Sequence, residues 1–188
     1  MIYPIYLYGH PVLRKVAEPV DVENEKELPK LIDDMFATMY HSEGVGLAAP
    51  QIGISKQIIV IDGSPMAEKF PECKEMKLAL INPEIEIIED VEPIGREEGC
   101  LSLPGLSEKV QRTEHLRLKW LDQNLTPHEK EFSGFAARII LHEFDHLLGK
   151  VYTDRISPIR KSLIRNKLNN IIKGKSHCDY RTVTAPKR

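Results

Sequence analysis

Apolar residues recur every third or fourth position in three stretches of the chain. In residues 26–41, Leu28, Leu31, Ile32, Met35, Phe36 and Met39 fall on one side of a predicted helix. In residues 135–148, Phe135, Ile139, Ile140, Phe144, Leu147 and Leu148 predict a second, largely buried helix. Ser133-Gly134 suits its start, and Gly149 suits a left-handed stop. A third helix opens at Ser157-Pro158 and carries Ile159, Leu163, Ile164, Leu168, Ile171 and Ile172 on one side. Arg160, Lys161, Arg165, Lys167 and Lys173 fall mostly on the other.

Elsewhere the pattern is that of strands. Residues 57–62 hold the run Ile58-Ile59-Val60-Ile61. Residues 78–88 set Ile85 and Ile87 against Glu84 and Glu86, which predicts one wet face. Shorter strands are predicted over 110–112, 115–121 and 128–132, the last two joined by a turn at Asp122-Gln123-Asn124. Residues 44–51, 63–77 and 95–105 are punctuated by Gly and Pro and read as loops. Residues past Gly174 read as a disordered tail. There is no internal repeat and no linker that would divide residues 1–156 into two domains.

One of the apolar stretches carries chemistry. His142-Glu143-Phe144-Asp145-His146 is an HExxH pattern within the second helix. Residues four apart on a helix share a face, so both imidazoles can bind one metal ion while Glu143, one step round, reaches its open side. Two His and a Glu in so apolar a helix are costly unless paired or coordinating. Such a site needs a third ligand. Cys100, between Gly99 and Leu101, is the one thiol outside the 63–77 excursion and the tail; a buried structural thiol is its other reading. The loop Gly44-Val45-Gly46-Leu47-Ala48-Ala49-Pro50-Gln51 permits close approach of another element. It lacks the spacing and the Lys-Ser or Lys-Thr of a phosphate-cradling loop. His115 and His128 lie among charged neighbours and read as exposed.

Composition narrows the setting. With 188 residues, 41% of them hydrophobic, the chain can bury one good core. It has no apolar run of membrane-spanning length and no secretion or transit signal at its start, which predicts a cytoplasmic protein with no membrane partner. Three cysteines without close pairing fit a reducing compartment. The net charge of −2 hides an asymmetry: residues 155–188 hold ten Lys or Arg against one acid, Asp179. That basic end could touch RNA or another polyanion, or be a solvated face with a loose terminus.

Three separated motifs, GVGLAAPQ at 44–51, EGCLS at 98–102 and HEFDH at 142–146, stand in the order and at the spacing of the peptide deformylase family, which this chain resembles closely. The likeness runs from the first helix to about Ile156, and the basic helix after Ser157 is similar to the C-terminal helix of bacterial members. The resemblance implies an α+β fold of antiparallel and mixed sheets around a central HExxH helix. It implies a catalytic domain, 1–156, with a basic amphipathic helix, 157–174, packed on it; for residues 175–188 it implies nothing, and they are expected from their composition to be a flexible tail. The implied reaction removes the N-terminal formyl group from formyl-methionine of nascent peptides and releases formate.

By the same resemblance, Cys100, His142 and His146 are the metal ligands, leaving a fourth position for water, as catalytic sites do. Glu143 would act as general base and then acid. The Gln51 side-chain amide and the Leu101 backbone N–H would hold the oxyanion, and Gly46 would contact the substrate through its backbone. Val45, Phe135 and Ile139 would wall the methionine slot. Arg138, one turn before His142, is expected to face that slot where bacterial relatives often have an apolar residue, and Asp145 is expected to pair with Arg112. The expected ion is Fe2+, with Zn2+, Ni2+ or Co2+ compatible with the same ligands. The ribosome is a further expected partner, with residues 157–175 contacting its RNA. A zinc endopeptidase sharing HExxH would need another ligand after the helix, where no Glu occurs and His177 lies in the basic tail. A metal-stabilised, ribosome-binding accessory protein is the non-enzyme alternative.

Overall fold

The computed structural model describes residues 1–186. In chain order the elements are β1 (Ile5–Tyr6), α1 (Leu28–His41), β2 (Gly46–Ala48), β3 (Ile58–Asp62), β4 (Lys77–Ile87), β5 (Ile94–Gly99), β6 (Ser107–Arg112), β7 (His115–Leu121), β8 (Pro127–Ser133), α2 (Gly134–Leu147), α3 (Pro158–Leu163), α4 (Arg165–Ile172) and β9 (Thr182–Val183). The fold is mixed α+β with antiparallel sheets. Five strands form one sheet in the order β2-β3-β4-β7-β8, every neighbouring pair antiparallel. The hairpin β5-β6 stands apart, and β1 pairs with β9 in parallel.

Strand β7 shows why the sheet forms where it does. Leu116, Leu118 and Trp120 are buried while Arg117 and Lys119 between them reach solvent, so one face of the strand packs on the core. In β4 the register slips between Ile81 and Glu84, at Asn82-Pro83. Pro83 has no N–H to give the ladder, and Asn82 takes a left-handed backbone (φ +49°) while its side chain bonds both backbone groups of Val20. The bulge thus ties the sheet to the N-terminal segment.

Helix α2 packs against β2, β3, β7 and β8, with Ala136, Ala137, Ile139, Ile140 and Leu147 in the core. Its first turn is satisfied from a distance, because the Phe135 N–H donates to Glu72 Oε1 at 2.8 Å. Gly149 stops it with φ +69°, and a Cβ there would come within 2.7 Å of the Arg14 carbonyl oxygen. Among the described residues no helix is long and apolar enough to cross a membrane.

Several expectations change. Residues 44–51 form strand β2 and a 3-10 turn, Ala49–Ile52, because Leu47, Ala48 and Ala49 are all buried against the sheet. The stretch read as a loop over 95–105 begins with strand β5. Cys73, inside the excursion, is fully buried. The single helix expected over 157–174 breaks at Ile164 into α3 and α4, and Ile159 and Leu163 stay exposed while Ile164, Leu168 and Ile171 pack inward. The chain past Gly174 is not a free tail over 175–186: it returns to pair with β1. Residues 187–188 lie outside the described residues.

Candidate metal centre

Helix α2 sets His142 and His146 one turn apart, their ring centroids 5.4 Å from each other. Cys100 follows the last residue of β5, and its Sγ lies 3.3 Å from His146 Nε2. The sulfur and one ring nitrogen from each His all lie within 4.8 Å of one another. Ligand atoms around a tetrahedral ion, at bond lengths of about 2.0 to 2.3 Å, are roughly 3.5 Å apart. The three residues can therefore hold a metal ion.

Electrostatics at these groups favour a cation between them. Burial alone would push the Cys100 thiol up, but His146 and His142 outweigh it and bring the thiol down to about 5. Burial would lower His142, yet Cys100 and Glu98 hold it well above its usual range. Thiolate and carboxylate together demand positive charge at this spot, which a divalent ion also supplies. Glu143, 5% exposed, is raised, chiefly by burial, and its Oε2 has no hydrogen-bond partner among the described residues. A buried carboxylate oxygen left without a partner is unusual and points to a group that arrives with a ligand.

The supporting shell is a buried charge network. Glu98 Oε2 lies 2.8 Å from His142 Nδ1, which leaves Nε2 to face an ion. Burial would raise Glu98, but Arg112, at 2.6 and 2.9 Å, and His142 hold it well below the usual carboxylate range. Arg112 also reaches Asp145 at 2.9 Å, so the expected pair forms, and Arg155 joins it from the other side.

Arg138 borders the cleft that Phe135, Ile139 and His142 also line. Its guanidinium, 1% exposed, is held by buried partners, donating to Glu98, Glu114 and the carbonyls of Val110 and Ile94. The residues sequence reasoning missed are Glu98 and Ser102, which flank Cys100 within EGCLS, and Glu114. An acid two residues before the candidate thiol is a usable signal for Glu98. Glu114 carried none. His115 and His128 pair with Asp90 and Asp122 on the far strands and stay out of the site.

Gln51 is 1% exposed, with its side-chain carbonyl accepting from the Ala48 N–H at 2.9 Å. That contact orients the amide nitrogen toward Cys100 Sγ (3.4 Å) and Ser102 Oγ (3.3 Å). Gly46 lies where β2 meets α2, and a Cβ there would fall 2.5 Å from Glu143 Oε1. Only glycine lets strand and helix approach so closely. Val45, Gly46, Phe135 and Ile139 line the same cleft, of about 710 Å³, as Gln51, Cys100, Leu101, His142 and Glu143. His146 lies beneath it, 1% exposed.

An α+β scaffold that brings a thiol, two imidazoles and a partnerless buried carboxylate to one cleft defines a metal-dependent hydrolase. The chain matches the model of the polypeptide deformylase family over residues 2–162 and belongs to that family. It is 42% identical to the peptide deformylase of Salinibacter ruber, with 98% of this chain and 95% of that one covered. It superposes on the crystal structure of the Thermotoga maritima peptide deformylase with a TM-score of 0.74 at 43% identity, covering 84% of this chain and 99% of that one. It is also similar to the actinonin-bound enzyme from Acinetobacter baumannii, with a TM-score of 0.72 at 38% identity, covering 84% and 99%. The chain is a hydrolase that removes the N-terminal formyl group from nascent peptides.

Proposed function

We propose that Cys100, His142 and His146 bind one divalent ion, Fe2+ in the cell, and that Glu143 carries the proton of hydrolysis. The observation that carries this reading is the convergence of three ligand atoms within 4.8 Å beside the unpaired Glu143 Oε2. A divalent ion held there supplies a Lewis acid and brings the pKa of a coordinated water toward about 7. Glu143, buried and raised, takes a proton from the attacking water and passes it to the leaving amide nitrogen. The Gln51 amide and the Leu101 N–H receive the negative charge that develops on the formyl oxygen; losing one such donor typically costs about 2.7 to 4 kcal/mol of transition-state stabilisation.

Gly46 offers its backbone to the substrate, and Val45, Phe135 and Ile139 accept the methionine side chain. Phe135 stacks on Phe70 with centroids 4.1 Å apart, which stiffens that wall. The working site is cytoplasmic, at the ribosome, and residues 157–175 contact its RNA. Supporting this, Arg165, Lys167, Lys173 and Lys175 make no ion pair among the described residues, whereas Arg160 and Lys161 are tied to Glu108 and Asp154. Binding that ignores salt, or survives removal of the segment, would count against the RNA contact. The decisive assay for the reaction compares formate release from a formyl-Met peptide with cleavage of an internal peptide bond. Formate release alone is expected; internal cleavage alone would reject the reading.

A further inference from the structure

Beyond α4 the chain turns at Gly174 (φ +66°) and runs along the cleft, where His177, Cys178, Asp179 and Tyr180 form part of its wall. It then joins β1: the Ile5 N–H donates to the Arg181 carbonyl at 2.8 Å and the Leu7 N–H to the Val183 carbonyl at 2.9 Å. This strap lies outside residues 2–162, the part matched by the family model.

Two hydrogen bonds connect the strap and the segment just after β1 to the residues after Cys100. The Tyr180 hydroxyl donates to the Leu101 carbonyl at 2.8 Å, and the Tyr8 N–H donates to the Ser102 carbonyl at 2.8 Å. Consecutive carbonyls of the loop that carries the thiol are thus gripped from outside it. Fixing the Leu101 carbonyl limits rotation about that residue's backbone and so limits where its N–H points. Burial pushes the Tyr180 phenol above its ordinary range, so it keeps its proton at neutral pH and can serve as that donor throughout.

We infer that Tyr180 is a positioning residue for deformylation, acting through the Leu101 carbonyl on the N–H that receives the oxyanion. The inference rests on the assignment of Leu101 as an oxyanion donor. Tyr180→Phe removes the hydroxyl and keeps the ring. In the metal-loaded full chain, kcat is expected to fall about tenfold, less than the 10² to 10³ typical of losing an oxyanion donor outright, with KM within about twofold. In the metal-free protein, amide hydrogen exchange at Leu101 and Ser102 is expected to quicken about fivefold while other core amides hold.

Unchanged kcat with unchanged exchange would overturn the inference. So would a raised KM at unchanged kcat, which would make the phenol a substrate contact. A chain ending at residue 175 should show the same or a larger loss of kcat at full metal content; wild-type kcat in it would equally overturn the strap's role. If the unaltered protein releases no formate, the reading of the site fails instead, and the exchange data still decide whether Tyr180 holds the loop.

Discussion

Replacing Arg138 by methionine tests whether this buried guanidinium braces the centre or shapes the methionine slot. The change strands its partners unequally. Glu98 keeps Arg112, at 2.6 and 2.9 Å, and His142, so it stays paired. Glu114, 2% exposed, keeps only Arg96, at 2.9 and 3.1 Å, whose side chain is 33% exposed. The carbonyls of Val110 and Ile94 also lose donors. Removing one partner of a buried ion pair costs about 3 to 5 kcal/mol. With one carboxylate still doubly held, about 4 kcal/mol is expected, which for a chain of this size lowers Tm by about 8 to 16 °C. Urea unfolding of the metal-free protein measures the loss, with the slope unchanged. Adding Glu114→Gln should restore about 1 to 2 kcal/mol, because the stranded charge is gone. A loss under about 1 kcal/mol, or a change in preference for the first substrate residue at unchanged stability, would refute the bracing role.

Other outcomes follow from the same geometry. Glu143→Ala should abolish turnover while the protein still binds its metal in full; retained turnover with full metal content would remove Glu143 from proton transfer. Gly46→Ala puts a methyl 2.5 Å from Glu143 Oε1, so the carboxylate must move; kcat is expected to fall about tenfold or more, and a wild-type kcat would show the approach is not needed. Glu98, Asp145 and Asp154 are each shifted upward by burial and pulled further down by Arg112, Arg155 and Arg14 respectively, ending below their ordinary values. Groups depressed in this way add stability that is complete above about pH 5 and lost as pH falls through about 4 and below. The urea midpoint should therefore drop between pH 6 and pH 3.5, and Glu98→Gln should flatten that drop; an equal drop in the variant would shift the cause elsewhere.

Much of this molecule is legible in the sequence because burial there follows a period. Leu116, Leu118 and Trp120 announce β7, and the Leu28 to Met39 spacing announces α1, since each element hides one regular face. Strand β5 escapes such reading: of Ile94 to Gly99 only Glu98 is buried, and an acid gives no apolar signal. The HExxH histidines are local to one helix and so are visible, whereas the network of Glu98, Glu114, Arg112 and Arg138 joins residues on β5, β6, α2 and the turn between strands. Nothing periodic links them. Helix α3 misleads in the opposite sense, because Ile159 and Leu163 keep helical spacing yet face solvent at 75% and 68% exposure.

The pairing of β1 with β9 sets Ile5 beside Thr182 and Tyr6 beside Val183, residues very far apart along the chain. Closing so long a loop is entropically slow relative to forming the neighbouring hairpins, so the sheet and α2 can assemble before this seam knits. Being only two residues wide on each side, the seam is also where thermal fraying should begin. Loosening of this seam would then be felt first at the Cys100 loop, long before the sheet gives way.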